Sequence, residues 1–258
     1  GQWELALALL ALLEEQRQPG NQVIYNAAIS ACEKGGEWEQ ALWLLFGFPQ
    51  RRLEQGIISF NSAICACGQC EQWEQSLWLL SHLQRRQLRP NIVTWSSAAT
   101  SCERADAWEA ALQLLGAMEV RSFQKDVIIY NTLIAAFGKG GGWQTALALF
   151  EEMQEEKVEE LDATYSATLA AIARNGEWKA ALDFLVATEE SPAAEKVLVS
   201  NYNVCIAACT RASKWQAALG LFASLTDRRF SGYAHTFQWV IEKMLQQQQL
   251  PPEHAGGE

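Results

Sequence analysis

The residues of this 258-residue sequence whose types could do chemistry are seven cysteines and three histidines. Three cysteines lie close together at Cys65, Cys67 and Cys70, and thiolates at short spacing can bind zinc or an iron–sulfur cluster. The histidines are His82, His235 and His254. None of them lies near a cysteine or carboxylate in a recognisable ligand spacing, and a fourth ligand for the three thiols is not evident. The sequence therefore predicts neither a metal site nor a cofactor.

Catalytic motifs are not found either. The glycine clusters, such as Gly140-Gly141-Gly142, lack the Lys-Ser/Thr pair that follows a phosphate-binding loop. The signature of zinc deaminases pairs Cys-x-x-Cys with His-x-Glu, and the sequence has no His-x-Glu. We therefore expect a protein that is not an enzyme and takes no small-molecule substrate.

The chain is organised by an internal repeat. A tryptophan, followed three residues later by a small residue and then by leucine, recurs at intervals of 35 or 37 residues. These tryptophans are Trp3, Trp38, Trp73, Trp108, Trp143, Trp178 and Trp215. An aromatic residue followed by Asn or Ser keeps the same period, from Tyr25-Asn26 to Tyr202-Asn203. Repeats of about 20 to 50 residues indicate a solenoid, a propeller or an array.

Placing the second aromatic fourth in each repeat divides the chain into 22–56, 57–91, 92–126, 127–161, 162–198 and 199–233. Each repeat predicts two helices, because apolar residues fall at places four, eight and eleven, and again three, four and seven residues after the tryptophan. We predict one all-α domain over 1–250, a right-handed α-solenoid of two-helix, 35-residue repeats. A half repeat at 1–21 begins it, a terminal helix at 234–249 ends it, and a disordered tail follows at 251–258.

The eleventh place of the repeat explains four of the cysteines. They are Cys32, Cys67, Cys102 and Cys209, and the other two repeats have Phe137 and Ile172 there. A place that accepts Cys, Phe and Ile is apolar, so these thiols are predicted to be buried and reduced. Reduced thiols fit an intracellular or organellar compartment. The recurring tryptophans are predicted to pack between paired helices, so that Trp108→Ala would leave a cavity there.

The charge is unevenly distributed along the repeat. The formal net charge is −10, which by itself argues against a polyanionic partner. The first fourteen places of the six repeats nevertheless hold five basic and only three acidic residues. The negative charge therefore belongs to the second helices and loops, and the first helices remain compatible with a track for a single strand. No stretch is long and apolar enough for a membrane span.

Two phrases, Val127-Ile-Ile-Tyr-Asn-Thr-Leu-Ile134 and Ala146-Leu-Ala-Leu-Phe-Glu-Glu-Met153, closely resemble the pentatricopeptide repeat family. Tetratricopeptide repeats have a similar length, but their first-helix Gly and Tyr and their terminal Pro are missing here. The resemblance is to a short array of the P type. It implies single-stranded RNA binding, at about one base per repeat, in RNA processing, stability or translation. It also implies a chloroplast or mitochondrial protein of the stroma or matrix, whose transit peptide could precede the present first residue.

The resemblance assigns roles to four places of each repeat. The fifth and last residues select the base, and the candidates are Asn26, Asn61, Asn91, Ser96, Asp126, Asn131, Ser166 and Asn203. The second residue sandwiches the base, and the candidates are Val23, Ile58, Val93 and Ile128. A basic residue at the thirteenth place meets the phosphate, and the candidates are Lys34, Arg104, Lys139, Arg174 and Arg211. From the residues alone, the second place could equally be ordinary packing, and the cations could stabilise helix C-termini.

Only two of the six fifth/last pairs fit the base code of the family. Asn61/Asn91 implies a pyrimidine, cytidine first, and Ser96/Asp126 implies guanosine. The other four repeats end in Gly56, Leu161, Leu198 and Tyr233. Because leucine cannot form a hydrogen bond with a base edge, the sequence predicts little sequence specificity.

The incomplete code leaves a second hypothesis open. The chain could be a non-catalytic scaffold subunit of a large organellar assembly, such as a ribosome or a photosynthetic or respiratory complex. The same surface would then contact protein subunits, and the terminal leucines and tyrosine would be apolar contacts. The basic thirteenth place favours RNA, whereas the net charge and the broken code favour the scaffold.

Overall fold

The structure is a computed structural model that describes residues 2–16, 20–49, 53–190 and 199–227. These ranges contain thirteen α-helices and no strand, which confirms the all-α prediction. The predicted terminal helix at 234–249 and tail at 251–258 lie outside the described residues, as do Leu198 and Tyr233.

Each repeat consists of two helices, as predicted. The first helices are α2 (Gln22–Gly35), α4 (Ile57–Gln69), α6 (Ile92–Arg104), α8 (Val127–Gly140), α10 (Asp162–Arg174) and α12 (Val199–Arg211). The second helices are α3 (Trp38–Gly47), α5 (Trp73–Arg85), α7 (Trp108–Glu119), α9 (Trp143–Glu155), α11 (Trp178–Glu190) and α13 (Trp215–Asp227). The half repeat supplies one helix, α1 (Gln2–Glu15). Every second helix begins on the recurring tryptophan, so the periodic pattern sets the helix boundaries.

The helices form two compact units, residues 1–140 and 141–258. In the first unit, α2, α4, α6 and α8 pack side by side, and α3, α5 and α7 pack between successive members of this row. In the second unit, α10 packs against α9, α11 and α12, and α13 packs against α12. First helices of neighbouring repeats are therefore in direct contact within each unit. The prediction of one domain over 1–250 stays a prediction.

The turn between the two helices depends on one residue in the left-handed conformation. The fifteenth place has positive φ in all six repeats, at Gly36, Glu71, Asp106, Gly141, Gly176 and Ser213. This conformation ends the helix, because the next N–H bonds back to the carbonyl of the eleventh place, as from Glu37 to Cys32 at 2.9 Å. Glycine is therefore favoured at this place but occurs in only half of the repeats, which is why the sequence shows the turn unevenly.

The core lies at the places that the sequence indicated. Cys32, Cys67, Cys102 and Cys209 are completely buried and free, which confirms the core prediction for these thiols. Burial raises the pKa of Cys67 and of Cys102 to about 12. A thiol with so high a pKa stays protonated at neutral pH and is a poor nucleophile.

Two of the recurring tryptophans contact the first helix of the following repeat, which the sequence did not predict. They are half-buried, and Trp108 lies on the first helix of the following repeat instead of only between its own pair. A Cβ at Gly140 would lie 1.9 Å from Trp108 Cδ1, and one at Gly35 would lie 2.4 Å from Trp3 Cδ1. The indoles of Trp3 and Trp108 therefore occupy space that glycine leaves open, and each joins two consecutive repeats. The prediction that Trp108→Ala leaves a cavity between paired helices stays a prediction, and the contact with Gly140 adds the following repeat to the surroundings of this indole.

Candidate nucleic-acid interface

The second place of the repeat carries exposed aliphatic side chains. Val23, Ile58, Val93 and Ile128 have exposed fractions of 72%, 65%, 48% and 62%. They lie in the first turns of α2, α4, α6 and α8, where neighbouring places four and eight are buried. Four branched aliphatics in solvent at one repeated place are not packing residues, so the packing interpretation of these four side chains fails.

The fifth place lies on the same side of the first helix as the second place, because residues three apart are neighbours on a helix surface. Its six side chains are all half-buried, at Asn26, Asn61, Ser96, Asn131, Ser166 and Asn203. Within each unit, we call the surface made by the second and fifth places of the first helices the base face. It presents, in each repeat of the first unit, an apolar side chain beside a polar one.

The pair Asn61/Asn91 is joined by hydrogen bonds. Asn61 Nδ2 donates to Asn91 Oδ1 at 3.1 Å, and Asn91 Oδ1 also accepts from the backbone N–H of Thr94 at 3.0 Å. Asn91 is thus the N-cap of α6, and the Thr94 hydroxyl completes a capping box by accepting from Asn91 N at 3.1 Å. The predicted fifth/last pair is therefore brought together, and one of its members also holds the helix end.

The pair Ser96/Asp126 is arranged differently. Asp126 Oδ1 accepts from the backbone N–H of Ile129 at 2.9 Å and so caps α8. Ser96 Oγ donates to the carbonyl of Val93 in its own helix at 3.2 Å. Both side chains are half-buried. Of the remaining last places, Leu161 is 47% exposed and Gly56 has no side chain to offer.

The thirteenth-place cations reach back to the preceding first helix. Arg104 Nη1 donates to the carbonyl of Gln69 at 3.4 Å, and Arg211 Nη2 donates to the carbonyl of Ala173 at 3.0 Å. These bonds satisfy helix-terminal carbonyls, which is the structural role that the sequence left open. Lys34 and Arg174 are exposed on α2 and α10.

Lys139 is the most engaged of these cations. Its Nζ lies 2.7 Å from Glu103 Oε1 and 3.2 Å from Asp106 Oδ1, and it donates to the Glu103 carbonyl at 2.9 Å. Burial lowers the pKa of the Lys139 ammonium, but hydrogen bonds and charge from Glu103 and Asp106 raise it more, so the net shift is upward. The ammonium is thus charged and already neutralised by two carboxylates.

The structure brings one further place to the interface, which the sequence analysis missed. The third-place side chains Ser59, Thr94, Thr164 and Asn201 are buried between first helices. A polar residue at a place that two other repeats fill with Ile24 and Ile129 was the signal available in the sequence.

The cysteine cluster does not form a metal site among the described residues, where no group of three or more His, Cys, Asp or Glu side chains could hold a metal ion. Cys70 Sγ donates to the Gly36 carbonyl at 2.9 Å, while Cys67 belongs to the core. The helices of the described ranges are also too short or too polar to cross a membrane.

Comparison with known families gives repeated matches along the chain. The PPR repeat family model matches residues 125–174, and the PPR repeat model matches 23–51, 58–88 and 200–230. No curated protein matches the sequence significantly.

Solved structures with a similar fold are found as well. The pentatricopeptide repeat protein PPR10 from maize is 23% identical with a TM-score of 0.71, over 94% of this chain and 35% of that protein. PPR10 in complex with an 18-nt psaJ RNA element is 22% identical with a TM-score of 0.59, over 93% of this chain and 34% of that one. The PPR domain of Arabidopsis thaliana protein-only RNase P 1, in complex with tRNA, is 16% identical with a TM-score of 0.55. The match covers 74% of this chain and 93% of that domain.

These likenesses confirm the α-solenoid fold class, and at such identities they show the fold alone. The chain spans about a third of the length of the maize protein.

Proposed function

The chain belongs to the pentatricopeptide repeat family, and from this we propose that it binds single-stranded RNA along the base face of its first helices. PPR10, which has a similar fold, was crystallised in complex with an RNA element, and this supports the proposal. We propose a non-catalytic role in which bound RNA is protected, processed by other factors, or made available for translation.

The observation that carries the proposal is the exposed second place. Burying an exposed Val or Ile against a flat base removes apolar surface from water, and base stacking on protein side chains is a sequence-tolerant source of affinity. Val23, Ile58, Val93 and Ile128 are spaced by one repeat each, so successive bases would enter between consecutive aliphatic side chains. The half-buried fifth-place polar groups beside them meet the base edges.

Two repeats are equipped to read a base. The Asn61/Asn91 pair offers amide hydrogens to the acceptors of a pyrimidine. Asp126 uses Oδ1 for the helix cap, and its Oδ2 can accept from the donors on a guanine edge. A binder with two reading repeats selects a short motif, so the proposed affinity comes mostly from contacts that do not depend on sequence.

The phosphate contacts are proposed to be unequal. Lys34, Arg104 and Arg174 are exposed and can turn toward a backbone phosphate. Lys139 is held by two carboxylates, so a phosphate would have to displace them. We propose that Lys139 and Arg211 mainly join repeats and that the other three cations supply the salt-dependent attraction.

An organellar location, in the matrix or stroma, forms part of this proposal. The family resemblance supports it, and the free, buried cysteines fit a reducing compartment. Fractionation of cells that carry the endogenous protein, followed by detection in chloroplasts or mitochondria against a cytosolic marker, tests it.

A protein-binding scaffold remains the second candidate function, and one observation favours it. Leu161 at a last place is 47% exposed, and Trp43 and Trp78 on second helices are 59% and 48% exposed. Apolar side chains exposed on both helices of the repeat are typical of surfaces that contact proteins. This candidate predicts that the chain stays in a protein complex after nuclease digestion.

The deciding experiment measures fluorescence anisotropy of labelled, unstructured single-stranded RNA with the wild-type protein and a variant. In the variant, Val23, Ile58, Val93 and Ile128 are replaced by serine. We expect wild-type binding that is at least tenfold weaker in the variant. A control variant carries Leu112→Ser and Val120→Ser, which are also exposed apolar residues but lie outside the base face. Equal RNA affinity of the three proteins, or none in the wild type, contradicts the proposal.

A further inference from the structure

The third place of the repeat carries buried polar side chains that the proposed RNA contacts do not use. Ser59, Thr94 and Thr164 are fully buried, and Asn201 is 2% exposed. Burying a hydroxyl or an amide costs free energy unless it is hydrogen-bonded. Three of these four side chains bond to the fifth-place side chain of the preceding repeat.

The three contacts are short and occur in both units. Ser59 Oγ donates to Asn26 Oδ1 at 2.6 Å, and Thr94 Oγ1 donates to Asn61 Oδ1 at 2.7 Å. In the second unit, Ser166 Oγ donates to Asn201 Oδ1 at 2.8 Å. Each contact crosses from one first helix to the next. The fifth-place residue, which is proposed to contact a base, is thus hydrogen-bonded to the third-place residue of the following repeat.

The hydrogen-bond partners fix the orientation of the Asn61 amide. The atom of Asn91 that accepts from the backbone N–H of Thr94 must be oxygen. The Asn61 atom 3.1 Å from that oxygen must therefore be the donor Nδ2. Asn61 Oδ1 then lies 2.7 Å from Thr94 Oγ1, and the single Thr94 hydroxyl hydrogen is shared between it and Asn91 Oδ1 at 2.9 Å.

This orientation determines which hydrogen-bonding groups of Asn61 and Asn91 remain available to a base. Asn61 uses its oxygen and one amide hydrogen inside the protein, and Asn91 uses its oxygen for the helix cap. The hydrogens left for a ligand are the second hydrogen of Asn61 Nδ2 and the two of Asn91 Nδ2. A site that offers only donors suits the adjacent N3 and O2 acceptors of cytosine. A freely turning amide would present an acceptor as readily.

We propose that the third-place side chain is a positioning residue for base selection by the preceding repeat. A hydroxyl at this place, as in Ser59 and Thr94, binds the oxygen of the fifth-place amide, and for Asn61 it acts together with Asn91 to leave amide hydrogens for the base. Asn201 does the reverse, because it takes the hydrogen of Ser166 and leaves that hydroxyl to accept. Base choice then depends on three residues, two from one repeat and one from the next. This inference rests on the proposed RNA binding.

One repeat has an apolar third-place residue and therefore serves as an internal control. Ile129 occupies the third place after the repeat of Ser96 and has no polar side-chain atom. Ser96 instead donates to the Val93 carbonyl of its own helix. The orientation of Ser96 should therefore be indifferent to substitutions at Ile129 that preserve packing.

The test compares Thr94→Val with Thr94→Ser, because valine has nearly the shape of threonine without its hydroxyl and serine keeps the hydroxyl. Each protein is used to select from a pool of random single-stranded RNA, and the Asn61→Ala variant identifies the nucleotide whose preference depends on Asn61. We expect Thr94→Val to reduce the pyrimidine preference at that nucleotide about fivefold, the effect of one hydrogen bond. Thr94→Ser and the control Ile129→Val should leave it unchanged.

A second readout needs no RNA. The side-chain amide resonances of Asn26 and Asn61 in ¹⁵N spectra report how firmly each amide is held. We expect Ser59→Ala to sharpen and shift the Asn26 amide only, and Thr94→Val to do so for Asn61. Ser59→Ala also serves if Thr94→Val fails to fold, since Thr94 is part of the capping box whereas the N-cap before Ser59 is Gly56.

The outcomes separate the two proposals. If wild-type protein binds no RNA, the proposed function fails and base selection fails with it, whatever the amide resonances show. If wild-type protein binds RNA but Thr94→Val keeps the base preference, only the positioning role is overturned. If Thr94→Val does not fold, the positioning role is overturned when Ser59→Ala leaves the Asn26 amide resonances unchanged. A lost preference that Thr94→Ser also loses would point to packing and would overturn the role of the hydroxyl.

Discussion

The two ends of each first helix carry periodic rows that look alike in the sequence and differ in the structure. At the N-terminal end, Val23, Ile58, Val93 and Ile128 point into solvent. At the C-terminal end, Arg104, Lys139 and Arg211 donate to carbonyls of the preceding repeat. A row that recurs once per repeat can thus face solvent or bond to the preceding repeat. Exposure and hydrogen-bond partners distinguish the two, whereas spacing does not.

The largest expected effect concerns packing at the C-terminal end. Gly140→Ala places a Cβ where Trp108 Cδ1 is only 1.9 Å away, so the indole or the helix must shift. Overpacking of this kind costs about 1–3 kcal/mol of unfolding free energy. Urea unfolding measures the loss.

Gly116→Ala is the matched control, because Gly116 also lies in a helix but has no atom within 4 Å of the added Cβ. We expect it to stabilise the protein by roughly 0.5–1 kcal/mol through higher helix propensity. If both substitutions have the same effect, Trp108 does not join the repeats in this way.

The next effect concerns the buried thiols and alkaline pH. Burial raises the pKa of Cys102 from 9.0 to about 12, so the unfolded chain loses this proton first as the pH rises. The contribution of this thiol to the unfolding free energy is fully present below about pH 9. Above pH 9, the unfolding free energy falls by up to about 1.4 kcal/mol per pH unit for each such thiol. Between pH 9 and 12, Cys102→Ala should reduce the slope of unfolding free energy against pH by the contribution of one thiol, up to about 1.4 kcal/mol per pH unit. An unchanged slope would mean that Cys102 ionises in the native state.

Some features of the fold could be predicted from the sequence, whereas others could not. The two-helix repeat, the helix starts at tryptophan and the buried eleventh place follow from periodicity, because burial of an apolar stripe is a local pattern. The packing of Trp108 on Gly140 was missed, since it depends on the distance between neighbouring repeats. The bonds of Lys139 and the third-place contact of Thr94 were missed for the same reason.

Asn91 sharpens the comparison, because it belongs to the N-terminal end and yet has a structural role. It caps α6, so Asn91→Ala should cost about 1 kcal/mol of unfolding free energy as well as base preference. Asn61→Ala should change base preference with a smaller loss of stability, since Asn61 caps no helix terminus. Thermal unfolding of the two variants decides this. Equal losses would mean that the Asn61 amide holds the repeats together as much as the cap does.

The smallest effect tests whether the cations of the C-terminal end act on RNA at all. Arg104 is exposed and makes one long bond of 3.4 Å, whereas Lys139 is bound by Glu103 and Asp106. Each phosphate contact contributes about −0.7 to the slope of log affinity against log salt for a single strand. We expect Arg104→Gln to flatten the slope by about that amount and Lys139→Gln to leave it nearly unchanged.

Lys139→Gln should instead lower the unfolding free energy by about 0.5–1 kcal/mol, because it leaves Glu103 and Asp106 without their cation at a partly exposed site. Anisotropy titrations at several salt concentrations, paired with urea unfolding of the same proteins, measure both quantities. If Lys139→Gln flattens the salt slope as much as Arg104→Gln does, a phosphate displaces the carboxylates. Lys139 would then contact RNA as Arg104 does, and its bonds to Glu103 and Asp106 would belong only to the unbound protein.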